Sequence, residues 1–381
     1  MQIPLFKPFV NPDALAGLRK IFTSGWIGLG PKTEEFEQAF CEYTGAKYAV
    51  AMNSCTAALH LSLICAGIED CDLVYTTPMT FVSTNEAIKY TGAAPEFVDI
   101  LPDTMSMDPM KLRRHIEENG PPKALIVVHY GGMPADIDAF LNLSRVYDFP
   151  IIWDCAHAMG ASYKDLRLGC FEKYACFSFH AVKNLGIGDG GMVATNDKEV
   201  YERLKRLRWM GVDSSTYERS TGGGYKWLYS VGEIGWKYHM NDVSAVIALT
   251  QLKDLEWQNE KRRFLADQYQ KFLADQWVAN GDIQIVNMPK EDQLSAQHLF
   301  VIRVRKGSRD GLHDYLAEKG ITTGVHYYPN NLYDMFDDTA VDCPEASKAF
   351  NQALSLPMYW QMTTQEQDYV CQAIKSYFDS L

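Results

Sequence analysis

The sequence has no apolar run of the roughly 18 residues that a membrane span needs, and its start, MQIPLFKPFV, lacks the order of a signal peptide. These absences predict a cytoplasmic protein without membrane contact. CxxC pairs are missing too: nine cysteines are scattered along the chain, several of them in apolar stretches. We therefore expect reduced, buried thiols rather than disulfides or a metal site.

Basic residues are also in short supply. The chain has 36 Lys and Arg against 48 Asp and Glu, which gives a formal net charge of -12 at pH 7. Because nucleic-acid phosphates are bound by a basic surface, this balance argues against a nucleic-acid partner. It still allows one local site for a phosphorylated ligand.

The alternation of elements predicts an α/β fold. Between about residues 48 and 195, short apolar strands such as YAVAM, ALIVVHY and PIIWD alternate with amphipathic helices. Strands that are apolar throughout indicate a mainly parallel sheet with helices on both faces. The later runs ACFSFH and GGMVAT lie close together in the chain and indicate a hairpin.

The length of 381 residues suggests two domains. A long helical pattern starts at Asn241, and beyond it lie a strand (HLFVIRVRK), a helix, a second strand (ITTGVHYY) and a C-terminal helix from Thr364. We place the boundary near Gln251, with a large domain in residues 1–250 and a small α+β domain in residues 251–381. The Gly-rich, aromatic stretch 213–238 breaks the pattern and is expected to form a functional loop or a subunit contact.

Three segments of the first domain carry polar residues where a strand ends. In the first, Asn53-Ser54-Cys55-Thr56, a strand gives way to a helix with good capping residues. Backbone N–H groups and hydroxyls at such a helix start can hold a phosphate. A plain helix cap is the simpler explanation of this segment when it is taken alone.

The second segment places Asp154 at the end of the apolar strand IIWD, directly before CAHA. A carboxylate in such surroundings loses hydration unless it meets a cation or a donor. A salt bridge or a helix cap would satisfy it. The functional interpretation gives it a ligand cation such as a protonated pyridine nitrogen.

The third segment places Lys183 after the aromatic run FSFHAV and before the Gly-rich loop NLGIGDGG. Desolvation there would lower the pKa of the lysine and make its neutral amine a nucleophile toward a carbonyl. A lone lysine would favour a solvated surface charge, but the three segments together reverse that preference. A phosphate cradle, a carboxylate and a partly buried lysine are what pyridoxal 5′-phosphate requires.

Ordered motifs along nearly the whole chain resemble those of the DegT/StrS-type sugar aminotransferases, which are fold-type I enzymes dependent on pyridoxal phosphate. The motifs are GWIGLGPKTEEFEQAF, SCTAALHLSL, TTPMTFVSTNEAI, APEFVDI, WDCAHAMGASY, FSFHAVKNLGIGDGG, GWKYHMNDVSAVIALTQL and LSLPMYW. The resemblance implies a large domain with a seven-stranded, mainly parallel sheet between helices and a smaller C-terminal α+β domain. Two positions depart from the family's pattern: Cys55 stands where relatives usually have Gly, and GDGG replaces the commoner GEGG.

The resemblance also assigns roles in a cofactor site. It implies that Lys183 forms the Schiff base, that Asp154 pairs with the pyridine nitrogen, and that His157 lies near the cofactor's 3′-oxygen; these three are the catalytic candidates. The other cofactor contacts that it implies are Ser54, Cys55, Thr56 and Ser178 at the phosphate and Phe81 against the ring. For Phe81 and His157, core packing is the alternative.

Lys237 matches a position from which relatives reach the phosphate of the neighbouring subunit, so the resemblance implies a homodimer with shared active sites. A cation would serve a phosphate well at that position. Where relatives often show a PxH pattern that meets the sugar, this chain has Val325 to Asn331. His326, Tyr327 and Asn331 are therefore candidates for substrate contacts, with structural loop residues as the alternative.

The resulting hypothesis is a ping-pong transamination with L-glutamate as the amino donor and a nucleotide-linked 3-keto or 4-keto deoxysugar as the acceptor. An aminocyclitol acceptor uses the same cofactor residues and stays open. A sugar dehydratase on this scaffold would have His in place of Lys183. A non-catalytic sensor that merely binds the cofactor would not complete a half-reaction with glutamate.

Overall fold

The computed structural model describes residues 1–213, 229–339 and 341–381. Its helices are α1 (Ala14–Ser24), α2 (Pro31–Thr44), α3 (Cys55–Cys65), α4 (Ser83–Lys89), α5 (Pro109–Asn119), α6 (Ile137–Tyr147), α7 (Lys198–Leu207), α8 (Asp242–Leu273), α9 (Arg309–Glu318), α10 (Pro344–Gln352) and α11 (Thr364–Asp379). Within these ranges, no helix combines the length and apolar character that crossing a membrane requires. Most of the stretch 213–238 lies outside the described residues.

The strands form one large and two small sheets. They are β1 (Tyr48–Met52), β2 (Leu73–Thr76), β3 (Ala94–Phe97), β4 (Ala124–Val128), β5 (Ile151–Asp154), β6 (Ser162–Tyr163), β7 (Leu166–Arg167), β8 (Ala175–Ser178), β9 (Gly191–Thr195), β10 (Ile283–Ile285), β11 (Gln293–Leu294), β12 (Phe300–Val304) and β13 (Ala353–Leu356). The large sheet has seven strands in the order β1-β9-β8-β5-β4-β2-β3. Only β9 runs against its neighbours β1 and β8, so the predicted mainly parallel sheet and the predicted hairpin are both confirmed.

The large sheet is covered on both faces, as its uniformly apolar strands require. Strand β4 (ALIVV) is buried along its whole length. Leu125 and Val127 point into one hydrophobic core, whereas Ile126 points into another on the opposite face. Because alternate side chains of a strand leave on opposite faces, this division needs helices on both sides of the sheet.

The long helix α8 joins the large sheet to the later part of the chain. It begins after Asn241, whose side chain accepts a hydrogen bond from the Ser244 N–H at 2.9 Å. Its second half contributes Leu265 and Tyr269 to the core beneath the antiparallel sheet β10-β12-β13. The predicted domain boundary near Gln251 falls inside this helix and stays a prediction.

The strand predicted for ITTGVHYY is wrong. The segment makes only two isolated bridges, from Ile321 to Ile3 and from Gly324 to Ser355. After Gly324 the chain leaves the sheet, and the side chains of His326 and Tyr327 line a cavity instead. Apolar and aromatic residues gave this segment a strand-like pattern, although Ile321 packs in a hydrophobic core and His326 and Tyr327 line the cavity.

Candidate active site

One cavity collects most of the residues that the sequence singled out. It has a volume of about 370 Å³ and lies where the carboxyl ends of β5 and β8 meet the amino end of α3. Ligands of open α/β sheets bind at the carboxyl ends of the strands, so this is the expected place for a site. The predicted residues that line it are Ser54, Cys55, Thr56, Phe81, Asp154, His157, Ser178, Lys183, His326 and Tyr327.

The amino end of α3 forms the anion-binding side of the cavity. Ser54 caps the helix, and its Oγ accepts a hydrogen bond from the Ala57 N–H at 3.1 Å. The first N–H groups of a helix have no partner within it and lie at the positive end of its dipole. Burial raises the pKa of the Cys55 thiol, so this departure from the family's pattern adds no negative charge beside the helix start.

Asp154 is buried at the end of β5 and is held on both carboxylate oxygens. Thr84 Oγ1 donates to one oxygen at 2.8 Å, and the Ala156 N–H donates to the other at 3.0 Å. Burial raises the pKa of Asp154, while these two hydrogen bonds and the charge of Lys183 oppose the rise. A carboxylate fixed in this way is placed to pair with a cation on a bound ligand.

Lys183 follows β8 and belongs to the same cavity as Asp154. Burial lowers its pKa from 10.5 to about 8, against the opposing effects of Asp154 and Cys55. Much more of this amine is therefore neutral near pH 7 than is usual for a lysine. The neutral amine is the form that attacks a carbonyl carbon.

His157 and Tyr327 form a hydrogen-bonded pair on the side of the cavity that faces Phe81. His157 Nδ1 accepts from the Gly131 N–H at 3.2 Å, and its Nε2 lies 2.9 Å from Tyr327 Oη. Burial, with the charge of Lys183, lowers the pKa of His157 well below its usual range, so the ring is neutral and carries one proton. Because Nδ1 accepts a hydrogen bond, this proton is on Nε2, which donates it to Tyr327 Oη. Phe81 is 57% exposed, which excludes core packing as its role.

Two predicted residues lie elsewhere. Lys237 is exposed, and its Nζ lies 5.3 Å from the centre of the Trp209 ring, away from the residues that line the cavity of its own chain. Asn331 is buried, and its side-chain amide donates to the Val341 carbonyl at 3.1 Å. The roles given to these two residues stay predictions.

Several cavity residues were missed by the sequence analysis, most notably Thr84 and His298. Thr84 binds Asp154 and in turn lies 2.8 Å from the Thr80 hydroxyl. Thr84 lies in the first turn of α4, and nothing in the motif TTPMTFVSTNE connects it with a carboxylate 70 residues later in the chain. His298 stands alone before the strand FVIRV, and no local pattern distinguishes it from a core histidine.

A second buried cluster, His129, Cys155 and Glu172, lies beside Asp154 in the fold, with side-chain donor atoms within 4.8 Å of one another. The His129 Nδ1 accepts from the Ala135 N–H at 3.0 Å, so the neutral ring carries its proton on Nε2. A protonated Nε2 donates a hydrogen bond and cannot bind a metal. Burial raises the pKa of Glu172 to about 7, and neither Glu172 Oε1 nor His129 Nε2 has a hydrogen-bond partner among the described residues.

The sequence of residues 10–375 matches the profile of the DegT/DnrJ/EryC1/StrS aminotransferase family. The chain belongs to this family.

Individual proteins extend the comparison over the full length. An uncharacterised protein of Methanocaldococcus jannaschii, MJ1066, is 35% identical over 98% of this chain and 97% of its own length. The aminotransferase TlmJ from Streptoalloteichus hindustanus superposes with a TM-score of 0.91 at 28% identity, covering 100% of this chain and 99% of its own. Spr1654 from Streptococcus pneumoniae, described as a sugar aminotransferase and solved in its PMP form, superposes with a TM-score of 0.89 at 28% identity. The match covers 100% of this chain and 98% of Spr1654.

The cofactor of this family is pyridoxal phosphate. Three features of the site fit it: a helix start for the phosphate, the doubly held carboxylate of Asp154 for the ring nitrogen, and the amine of Lys183 for the aldehyde carbon. Lys183 is the only Lys or Arg among the described residues that line the cavity. This cofactor therefore explains both the lowered pKa of Lys183 and the buried carboxylate of Asp154, which would pair with the ring nitrogen.

Proposed function

We propose that this protein transfers the amino group of L-glutamate to the keto group of a nucleotide-linked 3-keto or 4-keto deoxysugar. The observation that carries the proposal is the pairing, in one cavity, of a lysine whose pKa is about 8 with a buried carboxylate. Pyridoxal phosphate, when bound, supplies an electron sink that makes a proton on the carbon next to nitrogen labile. A sugar acceptor is supported by the description of Spr1654 as a sugar aminotransferase.

The side chains have distinct tasks in this proposal. Asp154, held by Thr84 and the Ala156 N–H, would keep the ring nitrogen of the cofactor protonated. Lys183 would hold the cofactor through its Nζ and, as a neutral amine, would take the proton from the α-carbon of glutamate. His157 and Tyr327 present a hydrogen-bonded edge toward the oxygens of the ligand.

Among the described residues, those that line the cavity offer the phosphate no cation besides Lys183. The helix start of α3 supplies N–H donors, but Lys183 is taken by the aldehyde carbon, and Lys237 is exposed outside the cavity. We infer that Lys237 of a second copy reaches this phosphate, which makes the protein a homodimer with shared active sites. The cytoplasmic location expected from the sequence remains part of the same proposal.

A coupled assay tests the reaction. Purified protein with pyridoxal phosphate and glutamate is offered nucleotide-linked 3-keto and 4-keto sugars and, in parallel, keto-inositols, with products identified by mass and NMR. The expected result is 2-oxoglutarate and an amino sugar, both absent with Lys183→Ala. Turnover of a keto-inositol alone would replace the sugar by an aminocyclitol, and failure of glutamate to change the cofactor's absorbance would contradict transamination.

Mixing two inactive variants tests the shared site. Lys183→Ala and Lys237→Ala are unfolded partially, combined and re-paired, with each variant re-paired alone as the control. Random pairing should restore roughly a quarter of wild-type activity, because half of the dimers are mixed and each has one intact site. No recovery above the sum of the two controls would show that Lys237 acts within its own chain or not at all.

A further inference from the structure

Two buried imidazoles, His157 and His298, line the cavity with ring centroids 4.5 Å apart. Both residues are hydrogen-bonded to the backbone of Gly131. The Gly131 N–H donates to His157 Nδ1 at 3.2 Å, and the Gly131 carbonyl accepts from the His298 backbone N–H at 3.0 Å. The relative placement of the two rings is therefore set by one turn of the backbone, at Tyr130 to Gly132.

The orientation of Asn184 determines which nitrogen of His298 carries a proton. The Asn184 Nδ2 donates to the Ala296 carbonyl and to Asn259 Oδ1, both at 2.7 Å. A backbone carbonyl can only accept, so this atom is the amide nitrogen and the other is the oxygen. Asn184 Oδ1 lies 3.0 Å from His298 Nδ1, and an oxygen there requires that Nδ1 carry a proton.

His298 is neutral, because burial and the nearby charge of Lys183 lower its pKa well below the usual range. With its single ring proton on Nδ1, the ring has a lone pair on Nε2. In the described parts of the chain, no donor is bonded to this nitrogen, and the ring itself lines the cavity. His298 therefore presents a permanent hydrogen-bond acceptor to whatever the cavity holds.

His157 has the opposite tautomer. Its Nδ1 accepts from Gly131, so its Nε2 carries the proton and donates to Tyr327. The Nε2 of His157 is thus a hydrogen-bond donor, whereas the Nε2 of His298 is an acceptor. The donor of His157 already has a partner in the protein, whereas the acceptor of His298 is left for the chemistry of the site.

We propose that His298 is a positioning residue: its Nε2, which has no donor among the described residues, accepts a hydrogen bond from the amino nitrogen of Lys183 once that lysine is released during turnover. The bond directs the lone pair of the lysine nitrogen toward the reacting carbon. The proposal rests on the proposed transamination, because only a lysine that is released during turnover needs such guidance. The loop supports the arrangement: Lys183 directly precedes Asn184, the residue that fixes the His298 tautomer. Asn184 therefore links the position of the Lys183 amine to that of the His298 ring.

Two substitutions separate positioning from packing. In His298→Asn, the side-chain amide can reproduce the Nδ1–H bond to Asn184 but leaves nothing at the place of Nε2. In His298→Gln, an oxygen can reach the place of Nε2, while the bond to Asn184 is lost. A positioning role predicts that His298→Asn slows the half-reaction with glutamate by about 10²-fold and His298→Gln by less, whereas a packing role predicts the reverse order, which would overturn the proposal.

The tautomer can be read in the wild-type protein, which avoids any variant that fails to fold. Correlation of ring protons with ring nitrogens by ¹H–¹⁵N NMR should place the His298 proton on Nδ1 and the His157 proton on Nε2. A proton on Nε2 of His298 would remove the acceptor and with it the proposal.

Discussion

The two walls of the cavity are built in different ways. The first, which we call the cofactor wall, consists of Ser54, Asp154, Ser178 and Lys183, at or just beyond strand ends and a helix start of the large sheet. The second, the loop wall, consists of His298, His326 and Tyr327, which come from irregular chain beside the small sheet. A parallel sheet fixes the cofactor wall, while only tertiary contacts fix the loop wall.

The walls also differ in charge. The cofactor wall holds the carboxylate of Asp154, whose pKa is raised by burial, and the amine of Lys183, whose pKa burial lowers to about 8. On the loop wall, burial lowers the pKa of His326 to about 4 and that of His298 still further below the usual value, and raises that of Tyr327 beyond the physiological range. Ionic chemistry is thus confined to one wall, and the other supplies neutral hydrogen-bonding groups. We expect the first to govern the rate and its pH dependence, and the second to govern what is bound.

The largest expected effect comes from removing the amine of the cofactor wall. Lys183→Ala should lower multiple-turnover amination by at least roughly 10³-fold, because both the covalent attachment and the proton transfer are lost. Borohydride treatment followed by peptide mass spectrometry should fix the cofactor to residue 183 in the wild type only. Lys253→Ala, which removes an exposed lysine outside the site, is the matched control and should still be labelled. Labelling of another lysine in the wild type would contradict the assignment.

A smaller loss is expected when the carboxylate is neutralised. Asp154→Asn should slow the half-reaction with glutamate by roughly 10²-fold or more, because an amide cannot hold the ring nitrogen protonated. Thr84→Val, which removes one donor to Asp154 but keeps its charge, should have a weaker effect in the same stopped-flow measurement. If the two variants were equally impaired, the charge of Asp154 would not be what matters.

The sequence alone predicts the cofactor wall better than the loop wall. Asp154 ends an apolar strand and Lys183 follows shortly after another, and a charged group in such a position is conspicuous in the sequence alone. Thr84 and His298 act through partners 70 and 114 residues away, Asp154 and Asn184, so no local pattern marks them. The strand wrongly predicted for ITTGVHYY has the same origin, since His326 and Tyr327 line the cavity instead of pairing with a neighbouring strand.

The pH dependence should follow the cofactor wall. In the apoprotein, the reaction of Lys183 with a small aldehyde should rise with pH and reach half its limit near the pKa of about 8, because the neutral amine attacks. The carboxylate of Asp154 raises this pKa, so Asp154→Asn should move the midpoint to lower pH. Rates of reductive alkylation at residue 183, with exposed Lys237 as the internal reference, measure the shift. A midpoint near the ordinary 10.5 would contradict the burial of the amine.

The smallest effect separates two predicted substrate residues. His326 lines the cavity and its Nδ1 lies 2.8 Å from Ser355 Oγ, whereas Asn331 bonds the Val341 carbonyl away from it. Asn331→Ala should lower the free energy of unfolding by about 1 kcal/mol and leave the KM for the sugar unchanged, because only an intramolecular hydrogen bond is lost. His326→Ala, its matched partner, should raise that KM with little change in cofactor binding. Denaturant unfolding and steady-state kinetics of both variants test this prediction. A raised KM for Asn331→Ala would contradict it, because a residue outside the cavity lining would then act on the substrate.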